Sequence, residues 1–263
     1  MVVATPVADT AMGDQLYRVA DAQTRFRTLT HGAGIVAGAF LVGIVLTFVG
    51  VGVFQSLGVS IDPLPPEANA VATALQFVGF LAVGWWYLRR TGTRDLLYLG
   101  RPALSDLGWV AIGLVGLATL FVGVTEVLAA LGVEVASNSA VATGREQPRL
   151  LLYYVAVSLL FVAPGEELIF RGLVQGLVRR AYGVVPAVVL TALVFGVVHW
   201  IALMGAGSRV AYLAIAALLG LVLGVVYEWS ENLVVPVLVH GCWNAGQFLL
   251  VYAAEMGYLD VGL

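Results

Sequence analysis

Seven long apolar stretches, separated by short polar connections, organise the chain: 31–54, 70–88, 108–131, 150–178, 184–204, 210–227 and 233–254. Each approaches or exceeds the roughly 20 apolar residues that carry an α-helix across the hydrocarbon core of a bilayer. The expected class is therefore all-α, a polytopic transmembrane helical bundle of seven spans. The stretch 150–178 exceeds one straight crossing, and Pro164-Gly165 offers a break or kink within it. If it divides there, the spans number eight. Residues 1–30 read as a polar tail that lacks the apolar core and cleavage site of a signal peptide. Residues 31–263 then form a single transmembrane domain, with no internal repeat, extramembrane domain or low-complexity segment.

Composition supports this reading. Of 263 residues 60% are hydrophobic and only 11% charged, with a mean hydropathy of +0.96. Average soluble domains carry about 25% charge. All 13 basic residues are arginine, and the net charge is −3. No basic run marks a nucleic-acid partner; the partners expected are membrane lipids and a membrane-attached protein or peptide. Arg89, Arg90, Arg94 and Arg101 follow the second stretch, and Arg179 and Arg180 follow the fourth. Arginines mark the inner side of a membrane, which puts the N-terminus in the cytoplasm of a multi-pass cell-membrane protein, although Arg145 and Arg149 fall on the outer side. Trp85, Trp86 and Tyr87 form an interfacial belt. The spacings Gly34-x-x-x-Gly38 and Gly220-x-x-x-Gly224 let helices approach closely.

The informative positions are the charges inside the apolar stretches, which cost several kcal/mol each and mark function by default. Glu166 and Glu167 are adjacent in the fourth stretch, followed by Arg171. Glu167 and Arg171, four apart, share a helix face and can pair. Glu166 lies about 140° around from Arg171, so it stays free to face a cavity. An unpaired carboxylate in an apolar setting suits a general base working near neutral pH. Pro164 and Gly165 would start or restart a helix there, its N–H groups favouring negative charge. The fifth stretch places Phe195 and His199 on one face, and the seventh does the same for His240 and Asn244. Counted from their inner ends, the three polar centres fall within one layer, roughly 10–22 Å along their helices.

Other polar residues read as structural. Glu126 can snorkel to the interface, His31 is a boundary histidine, and Glu228 and Glu231 belong to a solvated loop. Cys242 reads as a packed thiol. A lone cysteine gives neither a disulfide nor a cysteine metal cluster.

Taken in order, Glu166-Glu167-x-x-x-Arg171, Phe195-x-x-x-His199 and His240-x-x-x-Asn244 resemble the CPBP family of intramembrane proteases. That family includes Ras-converting CAAX prenyl endopeptidases and bacteriocin-processing or self-immunity proteins. The resemblance covers 150–254, and Pro164, Phe170 and Gly172 also suit the pattern. It implies that Glu166 activates water, helped by His199, with Glu167 and Arg171 as a supporting pair. It further implies that His240 and Asn244 stabilise the oxyanion and that Phe195 lines the pocket.

The expected activity is that of an intramembrane endopeptidase acting on a membrane-associated protein or peptide, CAAX-type by resemblance. Glu166, His199 and His240 could also form a zinc site with an open position for water. The same residues could work without metal, and no H-E-x-x-H motif is present. The cofactor is thus either none or one divalent metal such as zinc. Two rivals belong to other classes. A non-catalytic scaffold or bacteriocin-immunity protein would keep the fold and tolerate loss of Glu166. A transporter would use buried Glu and His as a proton relay, but the inverted repeats and paired broken helices of such proteins are missing.

Overall fold

The computed structural model describes residues 16–101 and 103–259. Among the described residues eight long or short α-helical segments follow one another: α1 (Ala22–Ser56), α2 (Pro66–Thr91), α3 (Leu104–Ala130), α4 (Ser139–Glu146), α5 (Pro148–Tyr182), α6 (Val184–Val198), α7 (Arg209–Ser230) and α8 (Val234–Glu255). All but the short α4 are long and apolar enough to cross a membrane, α6 together with the 3₁₀ turn that continues it to Ala202. Two strands of two residues each, β1 (Ser137–Asn138) and β2 (Leu203–Met204), pair antiparallel between the α3–α4 and α6–α7 connections.

Local chemistry sets the helix ends. The Asp21 carboxylate accepts hydrogen bonds from the Thr24 N–H at 2.9 Å and the Thr24 hydroxyl at 2.6 Å, which starts α1. That start lies nine residues before the expected one, so part of the presumed polar tail is helix. Upstream, the N–H groups of Arg18 and Ala20 donate to the carbonyls of Tyr182 and Ala181, tying the entry strand to the end of α5. Residues 1–15 of the expected tail lie outside the described residues. Proline begins α2 and α5 at the first turn, where its missing N–H costs nothing. Gly92, with φ of 70°, ends α2 in the left-handed conformation that glycine adopts without strain. Ser208 starts α7 by accepting the Ala211 N–H at 3.2 Å.

The fourth span does not divide. Pro148–Tyr182 runs as one continuous helical segment, interrupted in its hydrogen-bond spacing by π-helical runs at Ser158–Val162 and Leu168–Gln175. A proline ring clashes with the carbonyl four residues earlier in a regular α-helix. The first π run ends just before Pro164, and the Ala163 N–H reaches back five residues to Ser158. That wider turn makes room for the ring without ending the helix. Glu166 and Glu167 therefore do not sit at a helix start, and the expected support from free N–H groups is absent.

Helix α5 is the hub. Every residue from Ile169 to Gln175 is buried. On one side lies a core of Ile35 and Ala39 from α1, Phe77, Phe80 and Tyr87 from α2, and Phe195 from α6, gathered on Ile169, Phe170 and Leu173. A second core joins Leu117 of α3, Leu223 and Val226 of α7, and Val235 and Val239 of α8. The outward faces remain apolar, as Phe48, Val115, Leu193 and Val197 illustrate. Lipid is as apolar as these side chains, so helices associate here through close packing and hydrogen bonds instead of hydrophobic exclusion.

The glycine spacings divide accordingly. On α7, Gly220 and Gly224 do permit close approach, since a Cβ at either would crowd Phe195 or Val188 of α6. On α1, a Cβ at Gly34 would meet nothing, and one at Gly38 only the Val83 side chain at 3.7 Å. The crossing with α2 falls further along instead. A Cβ at Gly79 would lie 2.6 Å from the Gly43 backbone.

Candidate active site

The adjacent glutamates of α5 occupy opposite environments. Glu167 is completely buried, and its Oε2 lies 3.2 Å from Nε of the equally buried Arg171, one turn along the helix. Its other oxygen, Oε1, accepts a hydrogen bond at 2.7 Å from Nδ1 of His240 on α8. The Glu166 side chain keeps 14% of its surface exposed, and its Oε2 stands 3.8 Å from His240 Nε2. One carboxylate is thus held by two partners, and the other faces the imidazole and stays partly exposed.

Arg171 cannot be left unbalanced at zero exposure, since an isolated buried charge costs several kcal/mol. It meets Glu167, donates from Nη2 to the Gly220 carbonyl at 3.2 Å, and lays its guanidinium 4.4 Å from the centre of the Phe195 ring. Gly220 serves because a small residue brings its backbone within reach. One turn on, Gln175 repeats the device by donating to the Gly224 carbonyl at 3.1 Å. The stripe Glu167, Arg171, Gln175 therefore reads directly onto the stripe Gly220, Gly224.

Phe195 does more than line the site. Its ring makes edge contacts with His199 at 4.6 Å, Phe170 at 5.1 Å and His240 at 6.0 Å between centroids. It fixes both imidazoles relative to Arg171. Where α6 ends, His199 Nδ1 is 2.6 Å from the Phe195 carbonyl. A carbonyl only accepts, so this nitrogen carries the proton and Nε2 faces outward from the backbone. The Glu167 carboxylate fixes His240 in the same sense. Both rings hold Nδ1–H in structural bonds and keep Nε2 for chemistry.

Glu166, Glu167, Arg171, Phe195 and His240 are brought together directly, and His199 joins them through Phe195. Asn244 follows His240 by one turn of α8 and is partly buried; its amide has no protein partner among the described residues. As to a metal, no three His, Cys, Asp or Glu side chains among the described residues lie close enough together to hold one.

Several residues differ from their sequence reading. Glu228 is not solvated: its side chain is 6% exposed, and its Oε1 accepts from Arg179 Nη1 at 2.9 Å and Gln175 Nε2 at 2.7 Å. It lies on α7 before the turn, and α5 covers it. Cys242 is exposed, not packed, because it points away from His240 toward the outer face of α8. His31 does not begin the first span, since it lies nine residues beyond Ala22 on α1, and its Nδ1 lies 3.0 Å from the Tyr87 hydroxyl.

Gln175 was not singled out, although it continues the spacing of four from Glu167 through Arg171. Tyr212 was missed as well. Its ring lies 6.3 Å from that of His199, and a tyrosine on a separate span carries no local signal of that proximity.

A family model described as type II CAAX prenyl endopeptidase, Rce1-like, matches residues 148–246. Neither a curated protein nor a solved structure matches the chain. The matched stretch runs from the start of α5 to two residues beyond Asn244, so it spans the two glutamates, the arginine, both histidines and the phenylalanine between them. Over that core, the chain is similar to the type II CAAX prenyl endopeptidases.

Proposed function

We propose that the protein hydrolyses a peptide bond near the end of a membrane-attached polypeptide, with Glu166 as the base that activates water. The observation that carries this reading is the inequality of the two glutamates. Glu167 is spent on Arg171 and His240, whereas Glu166 is partly open and has no arginine partner.

The chemistry follows from the residues. Glu166 takes a proton from water as the water oxygen bonds to the substrate carbonyl carbon. His199 Nε2, its tautomer set by the Phe195 carbonyl, helps to hold that water. The carbonyl electron pair moves onto oxygen, and the resulting oxyanion needs preorganised donors. Protonated His240, steadied by Glu167, supplies Nε2–H, and Asn244 supplies its amide. Collapse of the adduct re-forms the carbonyl and breaks the C–N bond, while Glu166 returns its proton to the leaving nitrogen. Arg171 pairs with Glu167, and so holds His240 in place.

The family supports a CAAX-type substrate, and the arginine-rich end at Arg89–Arg94 and Arg179–Arg180 supports a cytoplasmic N-terminus. The test uses purified protein in liposomes with a farnesylated peptide ending in a CAAX sequence and the same peptide without the farnesyl group. Mass spectrometry should detect loss of the terminal residues from at least the farnesylated peptide. Glu166→Ala and His240→Ala should abolish that product in protein that still folds. Wild-type turnover in both variants would remove the assigned chemistry.

A further inference from the structure

Tyr212 belongs to no motif discussed above, yet three separate elements hold it beside the site. It lies in the first turn of α7, with its ring tilted 33° against that of His199. Its hydroxyl oxygen accepts a hydrogen bond at 3.1 Å from Nδ2 of Asn138. The orientation of that amide is fixed independently. Oδ1 of Asn138 accepts the Ala140 N–H at 2.8 Å as the cap of α4. A backbone N–H only donates, so the nitrogen end must face Tyr212. Because the phenol oxygen receives a proton from Asn138, its own O–H is free to donate, and no acceptor for it exists among the described residues.

The placement is built, not incidental. Asn138 lies in β1 opposite Leu203 of β2, and β2 directly follows the 3₁₀ turn His199–Ala202. The same connection is pinned again where the Ser208 N–H donates to the Glu134 carbonyl at 2.7 Å and the Ala136 N–H donates to the Ser208 carbonyl at 3.2 Å. Gly207 allows this approach, since a Cβ there would fall 2.5 Å from the Val135 carbonyl carbon. The strand pair thus clasps the end of α6, which carries His199, to the start of α7, which carries Tyr212. In a helical protein this small sheet has a clear task at that corner.

We propose that Tyr212 is a further catalytic residue, donating its O–H hydrogen bond to the carbonyl oxygen of the scissile peptide as that oxygen becomes an anion, and that Asn138 is its positioning residue. This inference rests on the hydrolase reading above. No proton transfer from Tyr212 is required: the proton that reaches the leaving nitrogen comes from water through Glu166. The hydrogen bond strengthens as charge builds on the oxygen, so it lowers the barrier more than it tightens substrate binding.

Turnover of the farnesylated CAAX peptide in liposomes tests this. Tyr212→Phe should lower kcat by about 100- to 1000-fold with KM within about twofold of wild type, a loss in the range of one missing oxyanion donor. Asn138→Asp keeps an oxygen to cap α4 but presents an acceptor to the phenol, drawing its O–H away from the substrate. It should reproduce most of that kcat loss in wild type and add little in the Tyr212→Phe background. Wild-type kcat in Tyr212→Phe overturns the proposal, as does a rise in KM with kcat unchanged. Independent, multiplying losses from the two substitutions overturn the positioning role. Glu166→Gln run in parallel separates the claims. If it is inactive while Tyr212→Phe is fully active, only Tyr212 loses its role; if Glu166→Gln retains full turnover, the hydrolase reading and this one fail together.

Discussion

Two buried clusters link α5 to its neighbours, and both contain a glutamate and an arginine. Toward the arginine-rich end, Gln175, Arg179 and Glu228 form one. Arg179 also donates to the Leu96 carbonyl at 3.0 Å and stacks 3.9 Å from the Tyr98 ring centre. The Tyr227 hydroxyl, on the same helix as Glu228, accepts the Tyr98 N–H at 2.9 Å. Deeper along the span, Glu167, Arg171 and His240 form the other. In the first cluster the carboxylate oxygen and both arginine nitrogens close on protein partners. The second holds Glu167 between Arg171 and His240, leaves Arg171 Nη1 without a hydrogen-bond partner among the described residues, and adjoins one carboxylate, Glu166, that no arginine satisfies. A charge pair inside a membrane protein therefore does not mark a reaction by itself. The surplus carboxylate beside the pair does.

The comparison can be broken by removing single members. Arg171→Ala leaves Glu167 buried without its counter-charge, and breaking such a pair costs about 3–5 kcal/mol. The variant should yield little folded protein in detergent, measured by thermal unfolding and monodisperse elution. Replacing both partners, Glu167→Leu with Arg171→Met, removes the stranded charge and should recover much of that stability. Turnover should not return with it, because His240 then lacks the carboxylate that orients Nδ1. Recovery of both would mean that the deeper pair is only structural.

Glu228→Gln sharpens the contrast from the other side. It weakens two charge-assisted hydrogen bonds and should cost about 1–3 kcal/mol of stability. Peptide turnover per folded molecule should stay within about twofold of wild type. A large loss of turnover at unchanged stability would give the first cluster a role in chemistry and erase the distinction.

Much of the deeper cluster was legible before any coordinates. Spacing of four on a helix puts Glu167 against Arg171 and leaves Glu166 to one side, and that is how the three are arranged. Seven spans were legible for a similar reason, since hydrocarbon thickness fixes helix length. What escaped depends on contacts between spans. Glu228 looked like a loop residue because its partner Arg179 lies 49 positions away. Tyr212 is tied in place by Asn138, 74 positions earlier and on a strand pair two residues long, too short for any periodicity to reveal. The helix start expected at Pro164-Gly165 failed because a π-helical turn accommodates proline as well as a break does. The spacing Gly34-x-x-x-Gly38 was read for packing, whereas the actual crossing depends on which glycines of two helices meet, Gly43 and Gly79.

The division of labour between the adjacent glutamates is tested most directly by measuring unfolding and peptide turnover together on Glu166→Gln. The substitution keeps the side chain's shape and removes its basicity. Turnover should fall by about a thousandfold, as general-base loss combined with misplaced water would produce, while the unfolding temperature stays within about 2 °C of wild type. Turnover retained at or near the wild-type rate, or a collapse of stability like that of Arg171→Ala, would contradict the account.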